Sequence, residues 1–187
     1  MDLEAAAKRL AKLSDETLRP FATRNFGREQ YPEAFSVVLA GETGMDRPLR
    51  ILKKLRPELD LGVVAFIGTN KSLADDAIEG TEIIVGPGRD QFDILRLAQS
   101  DACNYDLETE DLIRKLQEYE NQVGIDILQA DTDFILLELQ SLPEDLSAFC
   151  QDVYEFCPDI VDQGVGSVEA LEEAIVDSDL MLGLWWD

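Results

Sequence analysis

Apolar and polar positions alternate along the chain with two periods, one helical and one extended. Leu3, Ala6, Ala7, Leu10 and Leu13 recur at helical spacing, with Lys8, Arg9 and Lys12 off that stripe, which predicts an amphipathic helix over residues 2–13. Residues 20–32 are irregular. Three apolar runs of strand length follow, at Phe35–Ala40 (FSVVLA), 61–68 (LGVVAFIG) and 81–86 (TEIIVG). Between the first two, Asp46 stands as the N-cap of a helix over 47–55, with Pro48 tolerated in its first turn. Residues 1–88 therefore read as a small mixed α/β region.

From residue 89 the pattern predicts β, α, β, β, α, short α, β. Residues 91–98 (QFDILRLA) read as a strand with Phe92, Ile94 and Leu95 partly buried. Thr109 caps a helix whose stripe is Leu112, Ile113, Leu116, Tyr119 and Val123, with Glu110 and Asp111 at its positive end and Gly124 as its stop. Residues 125–128 and Phe134–Leu139 read as a hairpin about the turn at 130–133. Ser141 and Glu144 stand at capping-box spacing before the next helix, Ser167 caps another to about Val176, and 180–186 (LMLGLWW) is a last strand. This is the split βαβ order of a ferredoxin-like plait with one helix added before the final strand. The expected class is α+β, with a region 1–88 and a domain 89–187.

Charge sharpens that division. The formal net charge is −23; residues 1–56 carry +3, residues 57–115 carry −8, and residues 116–187 hold 18 acids and no lysine or arginine. Binding to nucleic acid or to anionic lipid rests on Lys/Arg displacing counterions, so neither is an expected partner. The expected partners are a basic protein, a cation or none, the charge in the last case serving solubility alone. The chain has no histidine, which removes Ser/His/Asp and Cys/His nucleophile arrangements and histidine-ligated metal sites. Its three cysteines, Cys103, Cys150 and Cys157, are expected as packed thiols in a reducing compartment. No apolar run nears the ~18 residues of a membrane span, and the first thirty residues lack a secretory apolar core, so a cytoplasmic location is expected. Nothing in the pattern fixes an oligomeric state.

Two glycine-rich places mimic phosphate loops. Residues 68–72 (GTNKS) have Asn70 where a P-loop needs glycine before the lysine, and 86–89 (GPGR) lack a third glycine and lose an amide at Pro87. Both are expected as turns. Asp131 and Asp133 lack the ligand ladder of a calcium loop and make a turn.

Residues 154–166 (YEFCPDIVDQGVG) concentrate more unusual chemistry than any other stretch. A helix continued over 146–161 would bury Leu146, Phe149, Cys150, Val153, Phe156, Cys157 and Ile160, and turn Asp152, Glu155 and Asp159 to solvent. Pro158 breaks or kinks that helix and moves Asp162 and Gln163 onto an elbow, with Gly164 and Gly166 free to take positive φ. The plait order places residues 100–105 at the same end of the domain. The candidate site is therefore Asp101, Asn104, Tyr105, Asp162 and Gln163, with Asp101 and Asp162 as the metal-ligand candidates for Mg2+ or Ca2+. Of Trp185 and Trp186, alternation buries one and turns the other out, and Trp186 is taken as a partner-binding anchor.

GRDQFDI at 88–94, Asn104-Tyr105, Thr109-Glu110-Asp111, FCPDIVDQG at 156–164 and Trp185-Trp186-Asp187, in this order, give the C-terminal hundred residues their likeness. They resemble an uncharacterised bacterial family, domain of unknown function 4253. The resemblance implies a cytoplasmic bacterial origin and a unit after Gly88; it supplies no catalytic or binding residue. Two functions stand as expectations. One is a non-catalytic interaction domain of immunity or regulatory type, whose acidic C-terminal half binds a basic protein. The other is a carboxylate-based, divalent-metal-dependent hydrolase or small polar-ligand binder.

Overall fold

A computed structural model describes residues 1–23, 33–69 and 79–187. Most of the irregular stretch 20–32, and the phosphate-loop mimic from Asn70 onward, lie outside the described residues. The fold is mixed α/β, and its contacts divide it into two compact units, Met1–Gln99 with Ala130–Thr132 and Ser100–Gln129 with Asp133–Asp187.

In the first unit, α1 (Leu3–Ser14) starts where the Asp2 carboxylate accepts the amide of Ala5 at 2.9 Å, and it buries Ala6, Ala7 and Leu10. Helix α2 (Asp46–Leu55) begins one residue earlier than expected. Met45 holds the N-cap position without a side-chain bond, and Asp46 instead faces the helix dipole from the first turn. Strands β1 (Arg19–Pro20), β2 (Phe35–Ala40), β3 (Gly62–Ile67) and β4 (Gly80–Gly88) lie in the order β1-β2-β4-β3, all antiparallel. Val37 opposes Ile83, and Phe66 opposes Ile84. Their burial is continuous rather than alternating, which explains why they read as unbroken apolar runs.

Two expectations fail here. Residues 86–88 are the end of β4, not a turn. The pairing with β2 stops at Phe35–Val85, and Val63 opposite Pro87 gives its amide to Asp60, so the missing N–H of Pro87 costs no ladder bond. Residues 91–98 are not a strand; Asp93–Ala98 form helix α3. Asp90 accepts the amide of Phe92 at 2.9 Å, and Asp93 accepts the amide of Arg89 at 2.7 Å while pairing with Arg96 three residues on. Those local bonds wind the chain, and Ile94, Leu95, Leu97 and Ala98 then bury at helical spacing. The plait consequently has no opening strand at that place.

The second unit holds α4 (Thr109–Val123), α5 (Leu146–Phe156), α6 (Val168–Asp177) and the strands β5 (Ile125–Ala130), β6 (Phe134–Leu139) and β7 (Met181–Trp185), in the order β5-β6-β7. Strand β6 runs antiparallel to β7, with Leu136 opposite Gly183. Thr109 opens α4 but does not cap it; Glu108 and Asp111 form a reciprocal capping box. The cap of α6 is Ser167, as expected, with its hydroxyl 3.1 Å from the amide of Ala170.

The cap of α5 is Asp145, whose carboxylate accepts the amide of Ala148 at 2.9 Å. Ser141 does not form a capping box with Glu144, because its hydroxyl donates to the carbonyl of Val123 at 3.0 Å. Asp145→Ala should accordingly lose about 1 kcal/mol in urea unfolding, and Glu144→Ala less than about 0.5. Equal losses would restore the Ser141–Glu144 capping box.

Candidate functional site

Helix α5 stops at Phe156 because a proline two residues on cannot continue its ladder. The chain re-enters as a wide π turn, Ile160–Val165, in which the amides of Val161 and Asp162 both donate to the carbonyl of Pro158 at 3.0 and 2.9 Å. Gly166 closes the turn at φ +90, a conformation that excludes most side chains. Gly164 serves a different need. A Cβ there would lie 2.6 Å from the Cη2 atom of Trp185, so the indole occupies the space a side chain would take. Ile160 and Val161 face the core, while Asp162, Gln163, Gly164, Val165 and Gly166 are exposed as a block.

Asp159, expected on the solvated face, is only 4% exposed. The helical projection over 146–161 does not apply past Phe156, and the turn after Pro158 rotates Asp159 inward. Its Oδ1 accepts the side-chain amide of Gln163 at 2.8 Å, and its Oδ2 accepts the backbone amide of Asp187 at 2.8 Å. The Tyr105 phenol lies close enough to the same carboxylate for each to shift the other's titration. Burial pushes the Asp159 carboxyl up, but Asp187, Tyr105 and Gln163 together outweigh it and hold the group below the ordinary carboxylate range. The Asp159 carboxylate, followed by burial, pushes the Tyr105 phenol up to about 12.

Tyr105 and Gln163 are thus brought together, through a residue that the candidate set omitted. Asp162 stands beside them, its Oδ1 accepting the Tyr154 hydroxyl at 3.1 Å, a bond that raises that phenol as well. Asn104 neighbours Tyr105 on a short 3-10 turn at Cys103–Tyr105 and is exposed. Asp101 is half-buried just before the bridge that pairs Ala102 with Leu107. Among the described residues, no group of three carboxylate or thiol side chains is placed to hold a metal ion.

Trp186 is a correction. It is 3% exposed, its indole N–H donates to the carbonyl of Phe156 at 3.2 Å, and its ring meets that of Phe156 edge-on at 5.3 Å. Tyr119 links Phe156 to Phe149, at 6.3 and 5.1 Å, so Trp186 completes an aromatic core rather than anchoring a partner. Trp185 is the half-buried member of the pair.

Cys150 and Cys157 are packed thiols, pushed by burial to about 11 and about 12; Cys157 also donates to the carbonyl of Trp185 at 2.9 Å. Cys103, expected to be packed with them, is exposed on the 3-10 turn. Asp152 is half-buried and accepts Lys115 at 2.7 Å, so it is not a plain solvated acid either.

Chemically, the site offers acceptor oxygens and phenol faces. Raised phenols and raised thiols supply no nucleophile at neutral pH. Nearby cations of the same unit are already paired, Arg114 with Asp111 and Lys115 with Glu118 and Asp152. Among the described residues no helix is long and apolar enough to cross a membrane.

A protein-family model described as Domain of unknown function (DUF4253) matches residues 82–187. No curated protein and no solved structure matches the chain.

Proposed function

Since the chain belongs to the family described as Domain of unknown function (DUF4253), we propose that it is a bacterial, cytoplasmic, non-catalytic interaction protein of immunity or regulatory type, whose acidic C-terminal unit receives a basic segment of a protein partner. The receiving face is Tyr105 and Tyr154 with the exposed turn from Asp162 to Val165. Asp159 carries this reading. One buried carboxylate bonds the side chain of Gln163 on the π turn and the backbone of Asp187, with the Tyr105 phenol beside it, so the face is held before any partner arrives and loses little entropy on binding. Tyr105 and Val165, each 37% exposed, offer apolar area for the stem of a lysine or arginine, and Asp162 offers its charged end a carboxylate.

Calorimetry with an eight-residue arginine peptide tests this. Saturable binding is expected, weakened roughly tenfold by Tyr105→Ala or by Asp162→Asn and further by added salt. Equal affinity for wild type and both variants would mean diffuse attraction to the acidic surface and sink the proposal. Titration with Mg2+ and Ca2+ provides the competing outcome. A one-site heat that disappears in Asp162→Asn would replace the interaction module with the metal-dependent reading built on Asp101 and Asp162.

A further inference from the structure

In the first unit an open hollow of about 370 Å3 lies where β4 runs out toward α3. Gly62, Pro87, Gly88 and Leu97 line its floor. Gly62 and Gly88 are register partners, so the floor carries no side chain at either position. At Gly62 a Cβ would meet nothing within 4 Å, and at Gly88 it would strike Val64 at 2.7 Å and the Cβ of Asp93 at 3.1 Å. Open space is therefore left at Gly62, while Gly88 is a glycine because Val64 and Asp93 pack against it; a volume near this one is the lower range of small-molecule sites.

Its rim carries two arginines. Arg89 and Arg96 line it with Asp93 between them. The Asp93 carboxylate is committed to the fold, accepting the amide of Arg89 at 2.7 Å and the guanidinium of Arg96 at 2.7 Å. The Arg89 guanidinium stands 3.8 Å from it, too far for a hydrogen bond, and its side chain is 88% exposed. Residues 82–187 contain four cations in all, and two of them, Arg89 and Arg96, are these. The other two, Arg114 and Lys115, pair with acids on α4 and α5, and Arg89 and Arg96 both pair with Asp93. With no amide at Pro87, a backbone cradle is not what would recognise a ligand here; a guanidinium fork is.

We infer that this hollow binds a small organic oxyanion, a carboxylate or a phosphate monoester, whose charged end pairs with Arg89 and Arg96 while a compact apolar body lies over Gly62 and Leu97. A planar fork matches both head groups, and the open space at Gly62 leaves room for a flat ring. The hollow belongs to the first unit and the face around Tyr105 to the second, and neither assignment rests on the other.

Backbone amide NMR of the full chain, titrated with phenyl phosphate, benzoate and inorganic phosphate, tests the inference. Saturable shifts are expected at Gly62 and residues 86–97, tighter for the two ring-bearing probes than for inorganic phosphate. Arg89→Gln, a change at an exposed side chain, should weaken binding about tenfold, and the Arg89→Gln/Arg96→Gln double variant should abolish it. Arg89→Lys, which keeps the charge but not the fork, should fall between. Absence of saturable shifts in wild type overturns the inference. So do shifts that Arg89→Gln leaves unchanged, or shifts centred on residues 159–165.

Discussion

Trp186→Ala is expected to remove about 3–5 kcal/mol of unfolding free energy, the cost of emptying a fully packed aromatic site. The indole is buried, stacks edge-on with Phe156 at 5.3 Å and, through Phe156, joins Tyr119 and Phe149. Each such aromatic pair adds about 0.5–1.5 kcal/mol beyond area burial, which places the loss toward the upper end. At roughly 2–4 °C per kcal/mol for a chain of this size, the melting temperature should drop by on the order of 10 °C. Trp186→Phe separates the two parts of the effect. It keeps a ring but strips the carbonyl of Phe156 of its indole donor, and should cost about 1–2 kcal/mol. Urea unfolding with an unchanged m-value measures both. A loss below about 1 kcal/mol for the alanine variant, with weakened peptide binding, would restore Trp186 as a partner anchor.

Elements with one unambiguous apolar pattern were legible from the chain. Phe35–Ala40 and Thr109–Val123 fall where the periods place them, because an apolar run of strand length and a five-residue helical stripe each fit one period only. Residues 91–98 were not. Phe92, Ile94, Leu95 and Leu97 fit either period over so short a run, and the choice was made by two aspartates bonding to nearby amides. The meeting of Tyr105 with Gln163 was legible, but by a route that the fold does not use. The expected plait strand is a helix, and what joins the two residues is Asp159. Asp159 itself could not be read from periodicity. Its environment depends on where Pro158 ends α5 and on the amide of Asp187, which is 28 residues away.

Asp159→Asn is the sharpest test of that hub, since it changes almost no volume. The two donors bonded to Asp159, the Gln163 amide and the Asp187 amide, point at different oxygens, so an asparagine must turn its own NH2 toward one donor whichever way it sits. The cost at pH 7 should be about 2–3 kcal/mol, the desolvation penalty of one buried group left unpaired plus the lost charge assistance. The pH dependence has a definite sign. The folded carboxyl lies below its ordinary value, so its contribution is complete above an unfolded pKa of about 3.9 and fades as pH falls through the folded value. The stability gap between wild type and Asp159→Asn should therefore hold from pH 7 to about 5 and narrow below about 4. At the alkaline end the sign reverses. Tyr105 is raised to about 12, so its interaction with Asp159 contributes fully below about 10, the ordinary tyrosine value, and is lost as pH rises toward 12. Site-resolved 13C NMR of the Tyr105 ring should show its titration move from about 12 toward about 10 when Asp159 becomes Asn. If that titration does not move, Tyr105 is held by something other than Asp159, and the ordered face on which partner binding rests has lost its central support.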